Sequence, residues 1–188
     1  MDCIEVGTSL IKEFGMASVR AIREACPNHL IIADMKTMDN ATYEMGLCFQ
    51  AGANLATVMA AAPMPTIMAC KIVADQYEGR IAIDLLATDP ARWRELQVIR
   101  NVVWCFRVGK DERELAGKSV ATWEMASAPE GCEVAVAGGV TLGMVPSLRA
   151  SGVDIVVIGS AIVKAPDPVA AAKAFRDAID VDGGYVKP

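Results

Sequence analysis

The sequence predicts an α/β fold of the (β/α)8 barrel type, and three observations predict it. Apolar, β-rich runs alternate with segments of helical periodicity along the whole chain. The 188 residues, 53% of them hydrophobic, are enough for one sizeable core and too few to argue for two, so residues 1–188 read as a single domain. The joints carry helix punctuation: Asp89-Pro90 and Asp167-Pro168 open helices, and Gly52 and Gly152 close others. Repeated β/α units imply a parallel sheet covered by helices. A barrel closes at eight units and seven are legible, so either one is missing or the sheet is open.

In chain order the expected strands are 2–6, 30–34, 54–59, 80–85, 101–106, 133–137 and 154–158. The helical segments between and after them are 18–26, 41–51, 65–77, 90–98, 119–127, 142–150 and 168–179. The second strand is the most informative. In Ile31-Ile32-Ala33-Asp34-Met35-Lys36-Thr37-Met38-Asp39, acid, base and acid follow an apolar run. Strand alternation points Asp34 and Lys36 to one side, and Asp39 falls in the following loop. Side chains at the carboxyl ends of parallel barrel strands face the mouth where chemistry is done, and a carboxylate beside an ammonium there can hold a metal and steady an anion. A structural ion pair at a strand end is the other reading.

Glu5 raises the weight of the chemical reading. It is a lone carboxylate in Cys3-Ile4-Glu5-Val6-Gly7-Thr8, where the alternation expects burial, and a buried carboxylate is costly unless paired or metal-bound. If this strand neighbours the second, Glu5 and Asp34 can share one divalent cation, and all-oxygen ligands favour magnesium over zinc.

Charge and composition exclude other classes. Eighteen basic against 23 acidic residues leave a net charge of −5, with no basic run, which argues against a nucleic-acid or membrane-surface partner. No leader-like segment opens the sequence and no apolar window approaches the length of a membrane span, so a cytoplasmic protein is expected. Cys3, Cys26, Cys48, Cys70, Cys105 and Cys132 have no paired spacing and read as free thiols. The only histidine, His29, reads as a turn residue, and no zinc site is expected.

The last two units share a second device. Val134-Ala135-Val136-Ala137-Gly138-Gly139-Val140 ends a buried strand in two glycines before a helix, so bare backbone N–H groups can approach an anion. Ile155-Val156-Val157-Ile158-Gly159-Ser160-Ala161 repeats the pattern, and α/β barrels often bind a substrate phosphate in their final units. Either glycine turn alone is compatible with a plain tight turn. No nucleotide-binding glycine loop is present.

Taken in order, Ile4-Glu5-Val6-Gly7-Thr8, Ala33-Asp34-Met35-Lys36-Thr37-Met38-Asp39, Ala51-Gly52-Ala53, Ala137-Gly138-Gly139 and Ile158-Gly159 resemble the 3-hexulose-6-phosphate synthase and 3-keto-L-gulonate-6-phosphate decarboxylase family, within the orotidine-5′-phosphate decarboxylase suprafamily of TIM barrels. The resemblance covers nearly the whole chain. It implies magnesium ligated by Glu5 and Asp34, an enediolate stabilised by Lys36, and an Asp39 that reaches a neighbouring subunit's site in a homodimer. It implies a sugar-phosphate substrate held at Gly138, Gly139, Gly159 and Ser160.

Two departures from that pattern stand out. Family members begin with a strand carrying an aspartate, whereas this sequence starts at what resembles the second strand, so the barrel is expected to lack its first β/α unit. In Trp104-Cys105-Phe106-Arg107-Val108-Gly109-Lys110-Asp111, Gly109 and Asp111 keep their places and Arg107 stands where the family has histidine. Arginine stays charged and is no ordinary general base, but it can stabilise an enediolate electrostatically; a salt-bridged rim residue is the alternative. Lys36-Thr37-Met38-Asp39 and Asp84 favour the synthase, which joins formaldehyde and ribulose 5-phosphate. Lys110 resembles a basic residue of the decarboxylase, and a catalytically silent sugar-phosphate-binding relative is the third alternative.

Overall fold

The structure is a computed structural model that describes residues 1–117 and 128–180; the helix expected over 119–127 lies outside them. Within it the chain forms two compact units. The first runs from Asp2 to Cys105 with a short segment ending at Glu133, and the second takes in Phe106 onward and everything from Val134.

The first unit opens with β1 (Cys3–Val6), α1 (Thr8–Phe14), α2 (Met16–Ala25) and β2 (Leu30–Thr37). It continues with α3 (Ala41–Gln50), β3 (Leu55–Met59), α4 (Met64–Gln76), β4 (Arg80–Asp84), α5 (Pro90–Leu96) and β5, which spans Val103–Arg107 and passes into the second unit at Phe106. Each strand from β1 to β5 pairs in parallel with the next, Glu5 opposite Ile32, Ala33 opposite Ala56, Met59 opposite Asp84 and Asp84 opposite Cys105. Strands covered on both faces become continuous apolar runs. Ile31, Ile32 and Ala33 are accordingly all buried, as are Ile81, Ala82 and Ile83. Helix α4 buries Ile67, Cys70, Val73 and Ala74, the three-and-four spacing of a single helical face.

Local chemistry explains the joints. Asp89 Oδ1 accepts hydrogen bonds from the Ala91 and Arg92 N–H groups at 2.9 and 3.0 Å, so Asp89-Pro90 starts α5 as its sequence implies. His29 lies in the turn before β2. Arg23 ties that turn down by donating to the carbonyls of Gly52, Pro27 and His29 at 3.0, 2.9 and 2.9 Å.

The second unit contains α6 (Lys110–Ala116), β6 (Glu133–Ala137), a 3-10 turn (Leu142–Met144), α7 (Val145–Ala150), β7 (Ile155–Val157), α8 (Ser160–Val163) and α9 (Pro168–Asp180). Strands β6 and β7 are parallel, Ala135 opposite Ile155. Asp167 Oδ1 accepts from the Ala170 N–H at 2.9 Å and starts α9.

The expected strands are all present, with ends shifted by a residue or two except β2, which runs three residues further to Thr37. Three short helices escaped the pattern, α1, α6 and the four-residue α8. In α1 only Ile11 is buried, and α6, Lys-Asp-Glu-Arg-Glu-Leu-Ala, buries nothing, so neither shows an apolar stripe. Helix α6 is instead started by Glu112, whose Oε2 accepts from the Gly109 N–H at 3.2 Å. Among the described residues no helix is long and apolar enough to cross a membrane.

All six cysteines are free thiols, with Cys48, Cys70 and Cys105 buried. Burial first, and the Glu44 carboxylate second, push Cys48 and Cys70 up to about 12 from an ordinary 9.0. A pKa raised on folding contributes stability that is complete below the unfolded value and is lost as pH climbs through the interval up to the folded value. The melting temperature should therefore fall between pH 9 and 11, and Cys48→Ala should flatten that fall while lowering the melting temperature at pH 7. Thiol labelling at pH 8 should reach Cys3, Cys26 and Cys132 before any of the three buried thiols.

Candidate active site at the strand ends of the first unit

Strand β2 does not run evenly beside β3. Between Ala33 and Thr37 it advances four residues while β3 advances only from Ala56 to Val58, so β2 bulges. Lys36 sits in that bulge with φ 54°, a left-handed conformation uncommon for a residue with a Cβ. Its N–H donates to Thr57 Oγ1 at 2.8 Å, which holds the bulge against β3.

The bulge aims the lysine. Its Nζ lies 2.7 and 2.8 Å from the two Asp34 oxygens and 2.9 Å from Asp84 Oδ2. Thr8 donates to Asp34 Oδ2 at 2.7 Å and Thr57 to Asp34 Oδ1 at 2.9 Å. The Leu86 N–H donates to Asp84 Oδ1 at 3.0 Å. The Asp34 and Asp84 side chains are 5% and 1% exposed, while Lys36 keeps 21%. The acids are sealed in, and Lys36 is the charged member of the cluster whose side chain keeps some exposure. It is a fixed positive charge in a partly desolvated site, the arrangement that stabilises a developing oxyanion.

The expected pairing of Asp34 and Lys36 is therefore observed, and Asp84 joins it. Glu5 is different: it is exposed, not buried as its strand's alternation suggested, because β1 is the outer strand of the run from β1 to β5. Its register opposite Ile32, two residues before Asp34, still places Glu5 and Asp34 on one face of neighbouring strands. Among the described residues no group of three or more His, Cys, Asp and Glu side chains gathers as a ready-made metal cluster. Two carboxylates on one face, with one more acid than base around Lys36, suit a hard cation such as magnesium that completes its shell with other oxygens. Both Asp34 oxygens already accept hydrogen bonds, so such an ion would compete with Thr8 or Lys36 for them. Asp39 is exposed in the loop after β2, where its Oδ1 accepts from the Asn40 N–H at 2.8 Å.

The remaining candidates belong to the second unit. Arg107 is part-buried at the end of β5. Gly138 and Gly139 follow β6 with φ of 92° and 80°. A Cβ on Gly138 would stand 2.3 Å from the Val108 carbonyl oxygen, so only glycine lets these two backbones meet. Gly159 and Ser160 are exposed where α8 begins.

Thr8, Thr57 and Asp84 complete the Lys36 cluster, and two of them had a signal. Thr57 is the one polar residue in Leu55–Met59, and Asp84 ends Arg80–Asp84 after three buried apolar residues. Thr8, just past β1, had none.

Comparison with known proteins adds a family to this geometry. Residues 1–175 match the model of the orotidine 5′-phosphate decarboxylase / HUMPS family. The chain is 34% identical over 185 residues to the 3-hexulose-6-phosphate synthase of Mycobacterium gastri, covering 95% of this chain and 87% of that protein. It is 30% identical over 188 residues to a 3-keto-L-gulonate-6-phosphate decarboxylase of Escherichia coli K12, covering 98% and 86%. Among solved structures, the 3-hexulose-6-phosphate synthase of Salmonella typhimurium superposes with a TM-score of 0.89 at 31% identity, covering 95% of this chain and 86% of that one. The fold is thus of the TIM-barrel type, with seven parallel strands among the described residues.

Thr57→Val keeps the shape of the threonine and removes its hydroxyl, which leaves the Lys36 N–H and one Asp34 oxygen short of a partner. The expected loss is about 1–3 kcal/mol of unfolding free energy, measured by urea denaturation. A loss within about 0.5 kcal/mol, typical of an inconsequential surface change, would show that the bulge does not depend on Thr57.

Proposed function

The chain belongs to the orotidine 5′-phosphate decarboxylase / HUMPS family of carbon–carbon lyases, and from that premise we propose that it joins formaldehyde to ribulose 5-phosphate as a 3-hexulose-6-phosphate synthase. The observation that carries this reading is the Lys36 ammonium, fixed between Asp34 and Asp84 at the carboxyl ends of β2 and β4. Removing a proton from ribulose 5-phosphate leaves an enediolate, and a bare enediolate is too basic to form readily in water. A preorganised positive charge can supply several kcal/mol of the stabilisation it needs. Lys36 would face the nascent oxyanion, held there by the two carboxylates so that no reorganisation is required as charge develops.

Magnesium, held by Glu5 and Asp34, would add a second positive charge at the substrate oxygens. Gly138, Gly139, Gly159 and Ser160 would hold the phosphate. Asp39, exposed beyond β2, would serve a second copy of the chain, and the active form would be a homodimer with shared sites. Arg107 occupies the family's histidine position and would contribute charge without exchanging a proton.

Loss of carbon dioxide from 3-keto-L-gulonate 6-phosphate reaches the same kind of intermediate, and Lys110, exposed at the start of α6, favours that second reaction. A silent sugar-phosphate binder is favoured by Arg107. Formaldehyde consumption with ribulose 5-phosphate and magnesium, beside carbon dioxide release from the keto-gulonate, separates the three. The expected result is formaldehyde fixation that a chelator abolishes, and Lys36→Met should slow it about 100- to 1,000-fold at a temperature where circular dichroism shows the less stable variant still folded. Carbon dioxide release alone would replace the synthase by the decarboxylase, and binding with neither reaction would leave the silent relative.

Arg107 has its own test. Imidazole takes up and releases a proton near pH 7 and guanidinium does not. Arg107→His should speed exchange of the C1 proton of ribulose 5-phosphate in heavy water, followed by NMR with magnesium present. Wild-type exchange already as fast as that of the histidine variant would mean that another group is the base.

A further inference from the structure

The second unit holds a cation that none of the roles above uses. Arg113 lies on α6 and is part-buried; its Nε is buried and has no hydrogen-bond partner among the described residues. A buried guanidinium N–H left without an acceptor is costly, so such a group points to an acceptor that arrives from outside. The acids beside it are engaged elsewhere. Glu112 accepts from the Gly109 N–H at 3.2 Å, and Glu114 faces Lys110 at 4.0 Å.

The place where Arg113 lies is telling. A Cβ built on Gly139 would stand 2.7 Å from Arg113 Cδ, 2.9 Å from Nη1 and 3.2 Å from Nε, so the side chain rests directly on the bare backbone of the Gly138-Gly139 turn. Any other residue at 139 would push the arginine off and would be strained at φ 80°. The glycine turn and the arginine are thus complementary: one presents backbone without side chains, and the other lays a planar, permanently charged donor group across it. Guanidinium donors match the oxygens of a phosphate in paired fashion, where a lysine offers only a point charge.

We propose that Arg113 binds the phosphate monoester of the substrate at the Gly138-Gly139 turn. This rests on the reading that the turn takes the phosphate, and it adds the side chain that supplies the charge. Uniform binding of a remote phosphate lowers KM and leaves the chemical step alone. Arg113→Gln should therefore raise KM for ribulose 5-phosphate about 10- to 100-fold, the range of one lost charge-assisted contact, with kcat within about threefold of wild type.

The matching measurement needs no turnover. Inorganic phosphate titrated into the whole protein and followed by 31P NMR should bind the wild type, lose about 10- to 100-fold in affinity with Arg113→Gln, and recover part of it with Arg113→Lys. Lys71→Gln, which removes a cation paired with Asp75 in the first unit, is the control for a general charge effect and should leave phosphate affinity unchanged. Phosphate affinity and KM both unaltered in a folded Arg113→Gln variant would overturn the proposal, as would an equal loss in Lys71→Gln. Phosphate binding that depends on Arg113, in a protein that turns over neither sugar phosphate, would refute the proposed reaction and uphold the arginine. Turnover of ribulose 5-phosphate with a KM indifferent to Arg113→Gln would do the reverse.

Discussion

Two carboxylates sealed on β2 and β4, the strands on either side of β3, set the terms for the site in the first unit. Asp34 and Asp84 are almost wholly shielded from water, and a shielded carboxylate persists only if a cation and hydrogen-bond donors replace its hydration. Lys36 meets that demand for both acids at once, but a regular β2 has no reason to bring its ammonium to both. The bulge between Ala33 and Thr37 and the left-handed backbone of Lys36 do this, and Thr57 fastens the result by accepting from the Lys36 N–H and donating to Asp34. Strand register, backbone strain and charge placement are one arrangement here, and the neighbouring apolar runs supply the rigid frame it is set in.

Stability is a poor explanation for that arrangement. Well-packed apolar residues in place of a buried ion cluster are often neutral or more stable, because desolvating the charges costs about as much as their attraction returns. A non-glycine residue held at positive φ adds about 1–3 kcal/mol of local strain. Keeping both features in a core otherwise made of Ile31, Ile81, Ile83 and Trp104 is understandable if the fixed ammonium is wanted for chemistry. The remaining exposure of the Lys36 side chain is consistent with that, since Asp34 and Asp84 have almost none.

Sequence alone made some of this legible. Alternation put Asp34 and Lys36 on one side of a strand, and the contact between them is direct, although the path to it is a bulge that alternation does not contain. A bulge is created by mismatch between two strands, so it is invisible in either strand read singly. Glu5 shows the opposite limit: period-two alternation ranks faces, but exposure also depends on how many neighbours a strand has, and β1 is the outer strand of its run. Helix α6 was unreadable for a third reason. Its seven residues bury nothing, and helix formation there rests on favourable propensities and the Glu112 contact to the Gly109 N–H. Strands β2 to β5 were readable because burial on both faces of a parallel sheet writes itself as nearly uninterrupted apolar runs.

The chain also separates what a family fold fixes from what a single residue decides. Parallel strands fix where side chains emerge, and the glycines after β6 fix a backbone conformation that few other residues can adopt. The fold is distributed over many contacts and persists at 31% identity to a solved relative. The proton-transfer step is not distributed in this way. In the proposed reaction Arg107 stands where the resemblance implies a histidine, and it would lack the one property, a pKa near neutrality, on which acid–base exchange depends. Binding and charge stabilisation can therefore persist while rate is altered by a single side chain. That is the physical sense in which activity belongs to the site and not to the barrel that carries it.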